Sequence, residues 1–212
     1  MTAGVVTVSS QMGANGGAIA RAVAQKLRFR YYDWEIISQA AAEAGLSPEV
    51  LAVLAAEPQP SFLERVIRRL IAGAPADETT APAPGVRLSV MSSEDYRQFI
   101  EQVVRELAQK GDAVIYGHAG QAVLAGRSGV LKVLLVGSLE RRVERMAAAQ
   151  GLPQEQVRQT VQQSDRQRRD FFKHAYHFDW LDASAYDVAL NTDRISLELA
   201  RDMIVACARE VP

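Results

Sequence analysis

Cys207 is the chain's one cysteine, so no disulfide framework can form within it, and a reducing, cytoplasmic setting is expected. His118, His174 and His177, with that single distant cysteine, give no zinc-ligand spacing, so no metal site built from side chains is expected. No apolar run approaches the roughly 20 residues that span a bilayer. The opening MTAGVVTVSS has neither a basic stretch nor a long apolar one, so no membrane anchor or signal peptide is expected. Net charge is nearly absent too. The 24 basic and 25 acidic residues leave −1, which argues against general nucleic-acid binding. No nucleophile elbow and no Ser/His/Asp order stands out.

What is present is core material and strand–helix alternation. Hydrophobic residues make up 48% of 212, enough for one domain over 1–212. Apolar runs at 5–8, 113–116, 131–136 and 187–190 read as buried parallel strands, with a short fifth at 30–32. Amphipathic helical patterns lie at 17–27, 93–109, 138–150 and 195–209. Strands alternating with helices predict a parallel α/β sheet covered on its faces. Residues 34–72 read as three helices and 73–85, GAPADETTAPAPG, as a flexible loop. Together 34–85 form an insertion within the domain. Residues 154–176 read as a long polar helix.

The densest signal is VVTVSSQMGANGGAIA at 5–20: a buried strand, a glycine-rich turn and the first turn of a helix. That arrangement holds nucleotide phosphates on backbone N–H groups at a helix N-terminus. Gly13, Gly16 and Gly17 permit close backbone approach. A phosphate loop of the form G-x-x-x-x-G-K-[ST] also carries a lysine and a hydroxyl. Aligned on Gly13, those positions fall on Gly16 and Gly17. The loop therefore reads as a phosphate cradle without its charge, or as a tight connection that binds nothing. On the first reading, Gly16→Val is expected to abolish ATP binding and leave the fold largely intact.

Four further candidates each carry a plain alternative. Positions 165, 168, 169 and 172 share a helix face, which presents Asp165, Arg168 and Arg169 together. Planar guanidinium groups on a closing lid can clamp a transferring phosphoryl group, but such a run also suits a solvated surface. Arg142 and Arg145 follow the strand at 131–136, near the ligand crevice of an open sheet. They read equally as an exposed face balanced by Glu140 and Glu144. His118 sits at the ligand-facing end of the strand at 113–116. It could bind phosphate or a base, or be structural. Asp33 either touches a nucleoside or caps the helix beginning at Trp34.

In this order the segments VTVSSQMGANGGAIARAVAQKL, YYDWEIISQAAAEAGLS, GDAVIYGHAGQAVLAG, LKVLLVGSLERRVERM and SDRQRRDFF to YDVALNT resemble the cytidylate kinase-like family of P-loop nucleoside monophosphate kinases. The resemblance spans nearly the whole chain. It implies a P-loop-kinase-like parallel sheet, a helical monophosphate-binding insertion and an arginine lid over 154–180. It also implies ATP and Mg²⁺ as cofactors, and transfer of the ATP γ-phosphoryl group to CMP or a related small nucleotide. On it, Gly13, Asn15, Gly16 and Gly17 match the phosphate loop, Asp33 the acid of the monophosphate region, Arg142 and Arg145 the arginines after the late strand, and Asp165, Arg168 and Arg169 the lid. His118 and Trp34 stand where the family carries arginine, Gly17 and Ala18 where it carries arginine and glutamate, and Asp170 at one further lid arginine. The competing expectation is a non-catalytic nucleotide-binding protein with a degenerate site. A homo-oligomer is left open.

Overall fold

A computed structural model describes residues 3–33 and 93–211. The helices expected over 34–72 and the loop at 73–85 lie outside the described residues. The chain groups into two compact units, Met1–Asp33 with Val104–Pro212, and Trp34–Val103. The account below concerns the first, together with residues 93–103, which are described only as part of one helix.

Among the described residues, five strands form one sheet in the order β2-β3-β1-β4-β5. They are β1 (Val5–Ser10), β2 (Arg30–Tyr32), β3 (Ala113–Tyr116), β4 (Val130–Val136) and β5 (Val188–Asn191). Every pairing is parallel. β1 is central: Val5 faces Ala113 on one side and Val130 on the other. All six residues of β1 are buried, which is why a run of β-branched residues with no polar alternation suits it.

The connecting helices are α1 (Gly16–Leu27), α2 (Ser93–Lys110), a short α3 (Gly120–Val123), α4 (Leu139–Gln150), α5 (Gln154–Tyr176) and α6 (Leu197–Glu210). In α1 the buried positions Gly16, Ile19, Ala20, Val23 and Ala24 make one stripe. That stripe packs with Val6, Val8, Val114, Leu131, Val133 and Leu135 of the sheet, and with Ala200, Ile204, Val205 and Ala208 of α6, in the main core. A second cluster, Val143, Ala147, Val157 and Val161, joins α4 to α5. Gly151, in the left-handed region at φ 66°, ends α4, and α5 starts just after Pro153.

Element boundaries differ from the sequence pattern by a residue or two. The fourth strand begins one residue early, at Val130. The last helix begins at Leu197 because Ser196 caps it, its side chain accepting from the Leu199 N–H at 3.1 Å. Ser138 caps α4 in the same way.

Candidate phosphate-binding site

β1 ends at Ser10, and residues 11–15 turn the chain into α1. The turn is fixed at its ends. The Gln11 N–H bonds to Leu135 O at 3.0 Å, and the Ala14 N–H bonds back to Gln11 O at 3.1 Å. The Gln11 side chain accepts from the Gly137 N–H at 3.1 Å. Gly13 has φ +83°, and a Cβ there would lie 2.7 Å from the backbone oxygen of Arg142. Only glycine fits both constraints. Asn15, also left-handed at φ 59°, leads into the helix without a side-chain cap. Among the described residues, the N–H groups of Met12, Gly13, Asn15, Gly16, Gly17 and Ala18 have no protein acceptor. Those on the first turn of α1 are the ordinary orphans of a helix start. Together with Met12 and Gly13 they form a run of donors suited to an anion.

Gly16 does more than line this loop. A Cβ on it would fall 2.3 Å from Ser10 Cβ and Oγ and 2.9 Å from the Tyr116 ring. The expectation that Gly16→Val spares the fold is therefore corrected: helix and central strand touch at this residue. Gly17 is different. Its Cβ would meet the Tyr116 ring at 3.5 Å, an ordinary contact.

α4 supplies two guanidinium groups to the loop. Arg142, 3% exposed, donates to Met12 O at 3.2 Å, to Gly137 O at 2.9 Å and to both oxygens of Asp165, at 3.1 and 2.7 Å. Arg145 donates to Gly13 O and to Thr192 Oγ1, both at 3.1 Å, and to Thr192 O. Asp193 lies 3.8 Å from it. The reading of this pair as an exposed, acid-balanced face does not hold for Arg142. Glu144 pairs with Arg141 and Glu140 with Arg158 instead.

α5 supplies a third. Arg168 donates to Ser10 O at the end of β1, and its guanidinium lies 5.0 Å from the Trp180 ring centroid. Ser10 O is the one acceptor it finds among the described residues. Burial pulls its pKa below the ordinary guanidinium value. Arg166 and Arg169 are exposed, so of the shared face only Asp165, Arg168 and the buried Phe172 turn inward.

His118 follows β3 in a turn whose residues Gly117, His118 and Ala119 all have positive φ. Burial first, and the Arg168 charge second, push its pKa down to about 4. It is a neutral imidazole at pH 7, and it carries no charge toward a phosphate. The sign for stability follows. The folded pKa lies below the unfolded value near 6.5, so the contribution is complete above about pH 6.5 and is lost as pH falls toward about 4. Wild-type protein should lose up to about 3 kcal/mol across that window relative to His118→Asn. Urea unfolding of both proteins at pH 7 and pH 4.5 checks this; parallel losses in the two would rule it out.

Asp33, at the end of β2, pairs with Arg21 at 3.4 Å, and Arg21 stacks over Tyr31 at 4.8 Å. Its capping of a helix at Trp34 falls outside the described residues. The fold thus gathers Gly13, Asn15, Gly16, Gly17, Arg142, Arg145, Asp165 and Arg168 at the C-terminal ends of β1 and β4, with His118 beside Arg168. Asp33 belongs to the Arg21–Tyr31 group, and Arg169 faces solvent. Sequence reading missed Thr192 and Asp193, although both follow a strand directly. It also missed Trp180, whose sequence neighbours give no sign of its contact with Arg168.

Backbone donors at a strand–helix junction suit the phosphates of a nucleotide. Mg²⁺ finds less. Asp165 is engaged by Arg142, and Asp193 accepts from the Ser138 N–H at 3.0 and 3.1 Å. Among the described residues no group of three or more acids, histidines or cysteines could hold a metal.

A parallel α/β sheet with a glycine loop after its central first strand and arginine-bearing helices beside it is the architecture of P-loop kinases. The chain belongs to the cytidylate kinase-like family, whose model matches residues 5–194. It is 32% identical over 105 residues to a cytidylate kinase of Methanopyrus kandleri, a match covering 46% of this chain and 54% of that protein. The chain thus spans about half the length of this curated relative. Among solved structures, an uncharacterized protein from Eubacterium ventriosum superposes with a TM-score of 0.68 at 14% identity, covering 96% of this chain and 97% of that one. A gluconokinase from Sinorhizobium meliloti superposes with a TM-score of 0.52 at 16% identity, covering 99% and 95%. At these identities the likeness is one of fold. Among the described residues no helix is long and apolar enough to cross a membrane.

Proposed function

We propose that this protein is a cytoplasmic phosphotransferase that binds ATP at residues 11–18 and passes its γ-phosphoryl group to CMP or a related small nucleotide. The observation that carries the reading is the run of N–H groups at 12, 13 and 15–18 without acceptors among the described residues, with Arg168 at its edge. The backbone donors hold the β- and γ-phosphates, and Arg168 neutralises charge as the γ-phosphorus leaves the ADP oxygen and bonds an acceptor phosphate oxygen. The acceptor is already an anionic nucleophile, so no general base is required. This family's reaction uses Mg²⁺, which would arrive with ATP rather than on open carboxylates of this chain. Asp33 and His118, at the ends of β2 and β3, are the residues proposed to meet the acceptor.

A second reading is favoured by one observation. Positions 16 and 17 carry no cation, and Arg142 and Arg145 are engaged by protein groups. A nucleotide-binding protein without turnover needs nothing more. Calorimetric titration with ATP–Mg²⁺ and with CMP, followed by assay for ADP and CDP, separates the two. Binding with CMP-dependent ADP formation supports the kinase. Binding without turnover supports the second reading, and no binding removes both.

A further inference from the structure

We infer that Arg142 and Arg145 aim the backbone of the phosphate loop rather than contact nucleotide, and that Asp165 is a positioning residue acting through Arg142. The inference rests on the loop's being the nucleotide site and adds how it is held in shape. A guanidinium has five N–H donors in one plane. Arg142 directs its donors at Gly137 O, Met12 O and the two Asp165 oxygens. It is almost wholly buried, and a phosphate could reach it only by displacing a bidentate carboxylate. Arg145 is engaged in the same manner by Gly13 O and Thr192.

The effect on the loop follows from peptide geometry. In a trans peptide the C=O and the next N–H point in opposite directions. Arg142 draws the Met12 carbonyl toward α4, which turns the Gly13 N–H away from α4. Arg145 draws the Gly13 carbonyl the same way, and the Ala14 N–H closes the turn on Gln11 O. Arg142 also supplies the backbone oxygen against which only a glycine at 13 can lie. Its own orientation is set by Asp165 on α5, 23 residues further along the chain. Arg168, one turn beyond Asp165, bonds Ser10 O at the other end of the loop. Helix α5 therefore grips the loop at two points, once directly and once through Arg142.

The test exploits a difference of sign. Were Arg142 a phosphate ligand restrained by Asp165, neutralising Asp165 would free a cation and tighten binding of an anion. If Asp165 positions the loop, neutralising it weakens binding although a negative charge has been removed. Asp165→Asn keeps the shape of the side chain, and Arg142→Lys keeps the charge but not the fork. ADP affinity by calorimetry is expected to fall about tenfold in each, the worth of one charge-assisted hydrogen bond. Amide exchange at Ala14, measured without nucleotide, is expected to speed up in both variants relative to wild type. Unchanged exchange at Ala14 overturns the inference whatever the affinity, and so does equal or tighter ADP binding by Asp165→Asn. If wild-type protein takes up no ADP, the functional reading fails, and exchange at Ala14 alone decides whether Asp165 sets the loop.

Discussion

Arg168→Ala is expected to lower kcat for ATP and CMP by about a hundred- to a thousandfold, the usual loss when a preorganised transition-state donor is removed. Three features single out this arginine. It reaches the end of β1, where the phosphate loop begins. Among the described residues it finds one protein acceptor for its five donors. Its place over Trp180 and its burial put it in a region of low dielectric, where a charge acts strongly on developing charge nearby. Arg166→Ala and Arg169→Ala remove exposed side chains and should change kcat by less than about threefold. Steady-state kinetics on the three variants provides the comparison. Equal, small effects at all three positions would return α5 to a solvated surface helix.

Gly16→Ala should lower the melting temperature by about 5–10 °C and weaken ATP binding, whereas Gly17→Ala should leave it unchanged or raise it. The two glycines are neighbours in sequence and alike in composition arguments. Only Gly16 has Ser10 of the central strand 2.3 Å from its missing Cβ. Ser10 is held in register with Leu135 and cannot retreat cheaply. Overpacking of that kind costs about 1–3 kcal/mol, and in a chain of this size each kcal/mol is worth about 2–4 °C. At Gly17 the added methyl meets the Tyr116 ring at ordinary distance. Alanine there gains up to about 1 kcal/mol of helix propensity. Scanning calorimetry of the pair reads the difference. Similar melting temperatures would refute the packing account of Gly16.

The sequence made the sheet and most helices legible because their signals are local. The apolar run 113–116 became β3 without change, and the Gln154–Tyr176 helix lies where its polar pattern placed it. The family was legible from the joint order of its segments, each weak alone, and the family match over 5–194 bears it out. The site was legible in part. Glycines of the loop announce themselves by composition, and Arg168 by its spacing from Asp165. What stayed hidden was direction. Nothing in ERRVERM tells whether Arg142 faces water, phosphate or carbonyl; that depends on Asp165 and Met12, brought together by the packing of α4 on α5. The sequence shows His118 only as a histidine at a strand end, and it is burial and the Arg168 charge that make it a neutral ring.

The central place of β1 has a consequence in time. Its two hydrogen-bonding neighbours begin only at Ala113 and Val130, far along the chain. At the usual pace of synthesis the VVTV run waits roughly 5–20 s before either partner exists. During that interval it is an unpaired apolar strand, the kind of edge that pairs with whatever is near. A growing chain of this design gains from an early companion for β1. The amphipathic α1 follows it at once, and laying Ile19, Ala20 and Val23 over Val6 and Val8 shields one face until the flanking strands arrive.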